Sequence, residues 1–180
     1  MPIFVAGVHG SGKTTACIIL SKLLGVDHYS ASTLIKKHYT QENWSKTKAT
    51  DEIRANQRIL IRAVSNLSHA NPKFLLDGHF TILNSRKEIE PISLATLKAL
   101  KLKGAFIVES STEEIYRRLA ERDNELWDQN LISRMITAER KHAILFSRAT
   151  QTPITFIESK NLPQESHRIL DQAKKWLNLD

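Results

Sequence analysis

The sequence lacks most of what marks a secreted, membrane-bound or fibrous chain. One cysteine, Cys17, stands among 180 residues, so neither a disulfide framework nor a thiolate metal site can form within the chain. It falls in an apolar stretch and is expected to pack as a small buried hydrophobe. Long hydrophobic runs are missing as well. Ala16 to Leu20 is typical, far too short to cross a bilayer, and no membrane partner is expected. There is no repeat, no low-complexity tract and no Gly/Ser/Pro-rich linker. Residues 1–180 therefore read as one domain, long enough to bury roughly 70% of its unfolded surface. Met1-Pro2-Ile3 passes at once into an expected strand, which argues against a cleaved leader. These absences favour a reducing, cytoplasmic setting. Acid is in short supply, with 19 Asp and Glu against 26 Lys and Arg, a net charge of +7. That balance suits an anionic ligand, but the dispersed charges do not choose among nucleotide, RNA and DNA. The histidines show no metal-ligand spacing.

What is present is concentrated near the start. Gly7-Val8-His9-Gly10-Ser11-Gly12-Lys13-Thr14 fits G-x-x-x-x-G-K-[ST] without a mismatch. Before it, Ile3-Phe4-Val5-Ala6 reads as a buried strand. After it, Thr15 to Leu24 reads as a buried helix closed by Gly25. Strand, glycine loop, helix is the context a phosphate-binding loop requires. Its glycines let successive N–H groups curl round an oxyanion, and the helix N-terminus adds unpaired donors and a positive dipole end. Gly7, His9, Gly10, Ser11, Gly12, Lys13, Thr14 and Thr15 are thus candidate contacts for ATP. Lys13 is placed to neutralise the β- and γ-phosphates, and the Thr14 hydroxyl to ligate Mg²⁺.

Further along, strand signals alternate with helix signals. Val26 to Tyr29 is a weak strand and Ser30 to Tyr39 a short helix. Gln41 to Thr50 is a polar connection, and Asp51 is an expected N-cap for a helix to about Ser68. That helix has Ile53, Gln57, Leu60, Val64 and Leu67 on its core face. Lys73 to Asp77 is a strand ending in an acid, Gly78 to Glu90 a loop, and Pro91 opens a helix to about Lys101. Gly104 to Glu109 is a strand, and Ser111 with Glu114 makes a capping box for a helix to about Arg122. Another helix runs from Leu131 to about Ser147, then a strand over Pro153 to Ile157, and Pro163 starts a last helix to Leu177. Alternation of this kind implies an α/β fold with a parallel sheet covered on both faces, ligands lying at the carboxyl ends of the strands. Asp77 is then placed as a Walker-B-type acid beside Thr14, a second Mg²⁺ ligand.

Several stretches resemble the nucleoside monophosphate kinases among P-loop proteins. Tyr29-Ser30-Ala31-Ser32-Thr33-Leu34-Ile35-Lys36 resembles the I-S-T-G-D-L-L-R of adenylate kinases. Asp77-Gly78-His79-Phe80-Thr81-Ile82 is similar to the D-T-H-x-T-I of archaeal-type adenylate kinases, and Ile115 to Asp123 to the arginine-bearing approach to the lid. The resemblance implies a three-layer P-loop NTPase fold with a five-stranded sheet ordered 2-3-1-4-5. It also implies an acceptor-binding region near 30–68 and a short lid near 118–134. In that frame Lys36 replaces the arginine that grips the acceptor phosphate, as a point charge rather than a fork. Arg118 stacks on adenine or flanks the phosphates, and Arg122 stabilises the transferring group. Glu125 and Leu126 stand where a later lid arginine belongs, with Arg134 as a weak substitute. Arg54, Arg58 and Arg62 form an i,i+4 stripe on the acceptor-side helix, of which Arg58 is the candidate acceptor contact unless the stripe is a solvated face. His79 is a candidate substrate contact or proton carrier. Trp127 falls in the lid, while Trp44 and Trp176 carry no signal.

An ATP-dependent phosphotransferase of adenylate-kinase type follows as the first expectation, with Lys13, Asp77 and Arg122 as its catalytic residues. Thr33 stands where relatives acting on an alcohol carry an aspartate base, which favours an already ionised monophosphate acceptor; Lys36 points the other way. A kinase of a small hydroxylated metabolite or nucleoside is therefore the second expectation. An ATPase that binds RNA or a ribonucleoprotein through its basic face is the third.

Overall fold

In the computed structural model, residues 1–39, 49–84, 86–123 and 126–179 are described. Its elements are β1 (Ile3–Ala6), α1 (Lys13–Leu24), β2 (Asp27–Ser30), α2 (Ala31–Tyr39), α3 (Ala49–Ala70), β3 (Phe74–Gly78), β4 (Thr81–Leu83) and β5 (Ile89–Pro91). Then follow α4 (Leu94–Ala99), β6 (Gly104–Glu109), α5 (Thr112–Asp123), α6 (Gln129–Thr150), β7 (Ile154–Glu158) and α7 (Leu162–Leu177). The main sheet has five strands ordered β2-β3-β1-β6-β7, each paired parallel to its neighbours. Counted among themselves these strands run 2-3-1-4-5, as the resemblance implied.

Period-two alternation sorts the strand residues to the two faces. Phe4, Ala6, Phe74, Leu76, Ala105 and Ile107 face one core, with Ala63 and Val64 of α3, Leu97 of α4, and Ala143 and Phe146 of α6. Ile3, Val5, Leu75, Phe106, Val108 and Ile157 face the other, with Ala16, Cys17 and Leu20 of α1 and Ile169, Ala173 and Leu177 of α7. Cys17 is fully buried, and burial pushes its thiol pKa up, as expected of an inert small hydrophobe. Among the described residues no helix is long and apolar enough to cross a membrane.

Several expectations need correction. Gly78 to Glu90 is not a plain loop: Thr81–Leu83 and Ile89–Pro91 form an antiparallel hairpin. Asn84 holds its turn, its Oδ1 accepting from the N–H groups of Arg86 and Glu88. The helix expected from Pro91 begins later, at Leu94, because Ser93 is its cap and accepts from the Thr96 N–H. α3 opens at Ala49, so Asp51 is inside it and is not the N-cap. Most of the polar connection expected over Gln41 to Thr50 lies outside the described residues. The Ser111 box forms by half. Ser111 Oγ accepts from the Glu114 N–H, but the Glu114 carboxylate turns to Arg118. α6 starts two residues earlier than expected, capped by Asp128.

Trp176, silent in the sequence, covers Gly104. Its ring lies 4.7 Å from that of Phe106, and a Cβ on Gly104 would stand 2.3 Å from its Cε3. Only a residue without a side chain admits the indole onto the start of β6. Gly104→Ala is therefore expected to destabilise the protein by about 1–3 kcal/mol through overpacking. In Trp176→Leu the same change should cost little, a non-additivity that thermal denaturation of the single and double mutants measures.

Candidate active site

The loop between β1 and α1 takes its shape from glycines in left-handed backbone, Gly10 at φ 78° and Gly12 at φ 95°. The Ser11 N–H donates to Val8 O at 3.1 Å. The curl leaves the Ser11 hydroxyl fully buried with no hydrogen-bond partner among the described residues, an orphan of the kind a bound group satisfies. Lys13, first residue of α1, folds back into the loop. It is 8% exposed, and its Nζ donates to Val8 O at 3.3 Å. Burial lowers its pKa, opposed by Asp77 and Glu139, while Arg122 adds to the lowering. A buried ammonium in a glycine loop at the N-terminus of a helix is a receptor for phosphate oxygens.

Parallel pairing puts the acid beside it. Val5 is level with Asp77 and Ala6 with Gly78, so β3 ends where β1 opens into the loop. The Thr14 hydroxyl donates to Asp77 Oδ2 at 2.9 Å. Hydroxyl and carboxylate together are hard oxygen donors of the kind Mg²⁺ takes. Among the described residues no cluster of three or more His, Cys, Asp or Glu could hold a metal.

His79 follows on the same corner. Its ring lies 4.4 Å from that of His9 in the loop. Burial first, then the charges of Lys13 and His9, push its pKa well below the usual histidine range, against a hydrogen bond with the Gly7 backbone. The same ring lines a cavity of about 180 Å³ between α2, α3, α4 and the hairpin. Its walls are largely apolar, from Phe4, Ile35, Leu60 and Leu97 among others. Its polar lining comes from Ser32, Asn56, Gln57, His79 and Thr96, with Gln57 Oε1 accepting from the Thr96 hydroxyl at 2.8 Å. Lys36 and Arg58 are exposed and do not line this cavity; Arg54 and Arg62 are exposed too.

Arg118 lies against the phosphate loop. Its guanidinium donates to Gly10 O at 3.0 Å, to Ser110 Oγ at 3.1 Å and to Ser159 Oγ at 3.4 Å, and pairs with Glu114. These donors are committed to bracing the loop rather than to a stacked base. A cavity of about 430 Å³ shares Ser110, Glu114 and Ser159 with this network. Arg122 sits exposed near the end of α5, close enough for its charge to be felt at Lys13. Trp127 packs on the cluster of Val8, Ile115, Leu119, Ile132 and Met135 beside the loop. Thr15 and Arg134 are exposed, and Glu125 lies outside the described residues.

One residue escaped sequence reasoning. Glu139 of α6 is 2% exposed, its Oε1 accepting from the Phe80 N–H at 2.8 Å and its Oε2 from the Thr81 N–H and hydroxyl, each at 2.7 Å. An acid among the apolar positions of a helix was the available signal.

The loop, the Thr14–Asp77 pair and the 2-3-1-4-5 sheet define the P-loop kinase fold. The chain belongs to the AAA domain family, whose profile matches residues 6–147. No curated protein matches the sequence. Among solved structures it is similar to a sugar kinase from a Janibacter species, at 14% identity and TM-score 0.54, over 98% of this chain and 94% of that one. A gluconokinase from Sinorhizobium meliloti matches at 13% identity and TM-score 0.53, over 98% and 91%. A protein from Chloroflexus aurantiacus, described as a kinase, matches at 14% and 0.57, over 98% and 94%. Identities this low establish the shared fold.

Two mutant comparisons test the site. Arg118→Ala should loosen the loop and raise the KM for ATP about tenfold or more, since charge-assisted hydrogen bonds are lost. Arg117 pairs with Glu121, both exposed, and Arg117→Ala should stay within about twofold of the parent. Equal effects in steady-state kinetics would refute the bracing role. Asp77→Asn should weaken the Mg²⁺ dependence of turnover more than the binding of metal-free ATP, as Mg²⁺ titrations and calorimetry can measure. An unchanged titration would leave Asp77 as a structural hydrogen-bond acceptor.

Proposed function

We propose that the protein is an ATP-dependent phosphotransferase whose acceptor is an uncharged hydroxyl compound with an apolar or aromatic body, a nucleoside being one example. The observation that carries this reading is the position of His79, which lines the acceptor cavity and meets the phosphate loop through His9. A monophosphate acceptor is already ionised and has no use for a base, whereas a hydroxyl does. A ring kept neutral beside Lys13 can take that proton. The apolar walls suit a flat or hydrophobic body and leave a polyol's hydroxyls unsatisfied. Folds shared with proteins named as a sugar kinase and a gluconokinase support a hydroxyl acceptor, while the walls argue for a less polar one.

ATP supplies the phosphoryl group, and Mg²⁺, which Thr14 and Asp77 would hold, would supply charge neutralisation. The chain does the rest. Lys13 and the loop N–H groups bind and orient the phosphates. His79 accepts the hydroxyl proton as the acceptor oxygen bonds to the γ-phosphorus. The bond to the β–γ bridging oxygen breaks and ADP leaves. In this reading Arg122, at the expected lid, offsets charge on the transferring group, a role supported by the reach of its charge to Lys13. The cavity beside Ser110 and Ser159 is open to the nucleoside end of ATP.

ADP release measured against nucleosides, aromatic alcohols, nucleoside monophosphates, gluconate and hexoses tests this. Stimulation by a nucleoside or aromatic alcohol is expected, abolished in Lys13→Ala and reduced about a hundredfold in kcat by His79→Asn. Stimulation by a monophosphate that Lys36→Ala removes would overturn the hydroxyl acceptor and return the reading to a nucleoside monophosphate kinase.

A further inference from the structure

Glu139 is an expensive residue where it stands. Its carboxylate is buried between α6 and the corner where β3 leaves the main sheet for the hairpin, and burial raises its pKa against the pull of its donors and of Lys13. An apolar residue of similar size would fill the space without the desolvation cost. The acid does have donors to satisfy: two N–H groups and a hydroxyl, all from Phe80 and Thr81. Those residues immediately follow His79, and Asp77 lies only two residues before it. Phe80 is locked from other sides too, its ring 5.2 Å from Phe4 and 5.5 Å from Phe146 of the same helix α6. The chain between the metal-binding acid and the hairpin is thus pinned to α6 at one carboxylate. The same helix, at Ile132 and Met135, packs on Val8 of the phosphate loop. Asp128, which caps it, lies in the expected lid.

We infer that Glu139 is a positioning residue: it sets the Asp77–His79 corner against the phosphate loop and carries displacements of α6 to the His79 ring. This goes beyond the proposed reaction and does not depend on which acceptor enters the cavity.

Histidine-ring NMR at fixed pH on the full chain, with the His79 signal assigned by its loss in His79→Asn, reads this directly. In Glu139→Gln one carboxylate oxygen becomes an amide nitrogen, which cannot accept. The His79 and His9 ring signals are then expected to move by more than a line width. His28, His69 and His167, remote from the corner, should hold their places. Hydrolysis of Mg·ATP should fall about tenfold in kcat with the KM for ATP within about threefold, the signature of lost alignment rather than lost binding. Should Glu139→Gln fail to fold, Thr81→Val removes one of the three donors and should move the same two signals in the same direction. Thr81→Ser, which keeps the hydroxyl, should restore them. If the variants lower only the melting temperature and leave the His79 and His9 signals and the kcat at parent values, Glu139 is a fold-stabilising residue and the inference fails. It fails equally if all histidine signals move together, since that reports general loosening. Because the ring signals need no acceptor, a wrong acceptor class leaves this result standing.

Discussion

Burial of one ammonium group sets the terms for the rest of this structure. Lys13 lies inside its own loop with its Nζ on a carbonyl, and an unpaired charge so placed costs several kcal/mol. The compensation is spread over neighbouring elements. Asp77 at the end of β3 and Glu139 on α6 pull its pKa back up, each from a different side. Among the described residues neither carboxylate forms an ion pair with Lys13, and its charge faces the loop. The orphan Ser11 hydroxyl belongs to the same economy of unsatisfied groups. Binding phosphate there satisfies donors that folding left without partners, which makes the loop a receptor and not just a turn.

Closing the loop around that charge requires neighbours on its outer side. Arg118 holds the Gly10 carbonyl and ties it to Ser110 after β6 and Ser159 after β7. Leu119, one residue on, sits 3.2 Å from where a Gly10 Cβ would be, and Arg118 Nη1 sits 3.3 Å from the same point on Gly12. The two glycines are therefore needed twice over, for backbone conformation and for the close approach of α5. Adjacent residues of one helix face divide the work, apolar packing from Leu119 and hydrogen bonding from Arg118.

Most of the fold was legible because its signals are local. Strand alternation, the glycine loop, Gly25 at the end of α1 and Pro163 at the start of α7 each act within a few residues, and the structure keeps them all. Lys13, Thr14 and Asp77 also lie in local motifs, and the structure brings the Thr14 hydroxyl onto Asp77 beside the loop that holds Lys13. What escaped notice depends on long-range partners. The hairpin strands have only three residues each, too short for a periodic signal, and their turn is held by the Asn84 side chain. Arg118 looked free for a ligand because its partners, Gly10 and Ser159, are distant in sequence. Trp176 gained meaning only from Gly104 across the sheet. Glu139 breaks the apolar stripe of α6, but the donors that account for it, on Phe80 and Thr81, are distant in sequence.

The long-range interactions meet on one helix. α6 lays Ile132 and Met135 beside the loop, Glu139 beneath the Asp77–His79 corner, and Phe146 into the core under Phe80. Arg140 pairs with Glu109 at the end of β6 and covers the Phe156 ring of β7 at 4.0 Å. His142 hydrogen-bonds the Ile92 carbonyl just past the hairpin. The phosphate loop, the Asp77–His79 corner and the β6–β7 strand ends thus all rest on one helix. Since an α-helix advances about 1.5 Å per residue, a shift by even a fraction of a turn would disturb all these contacts together. That stiffness suits a phosphotransferase, in which reacting groups from different strands must be held within about 0.5 Å of their working positions.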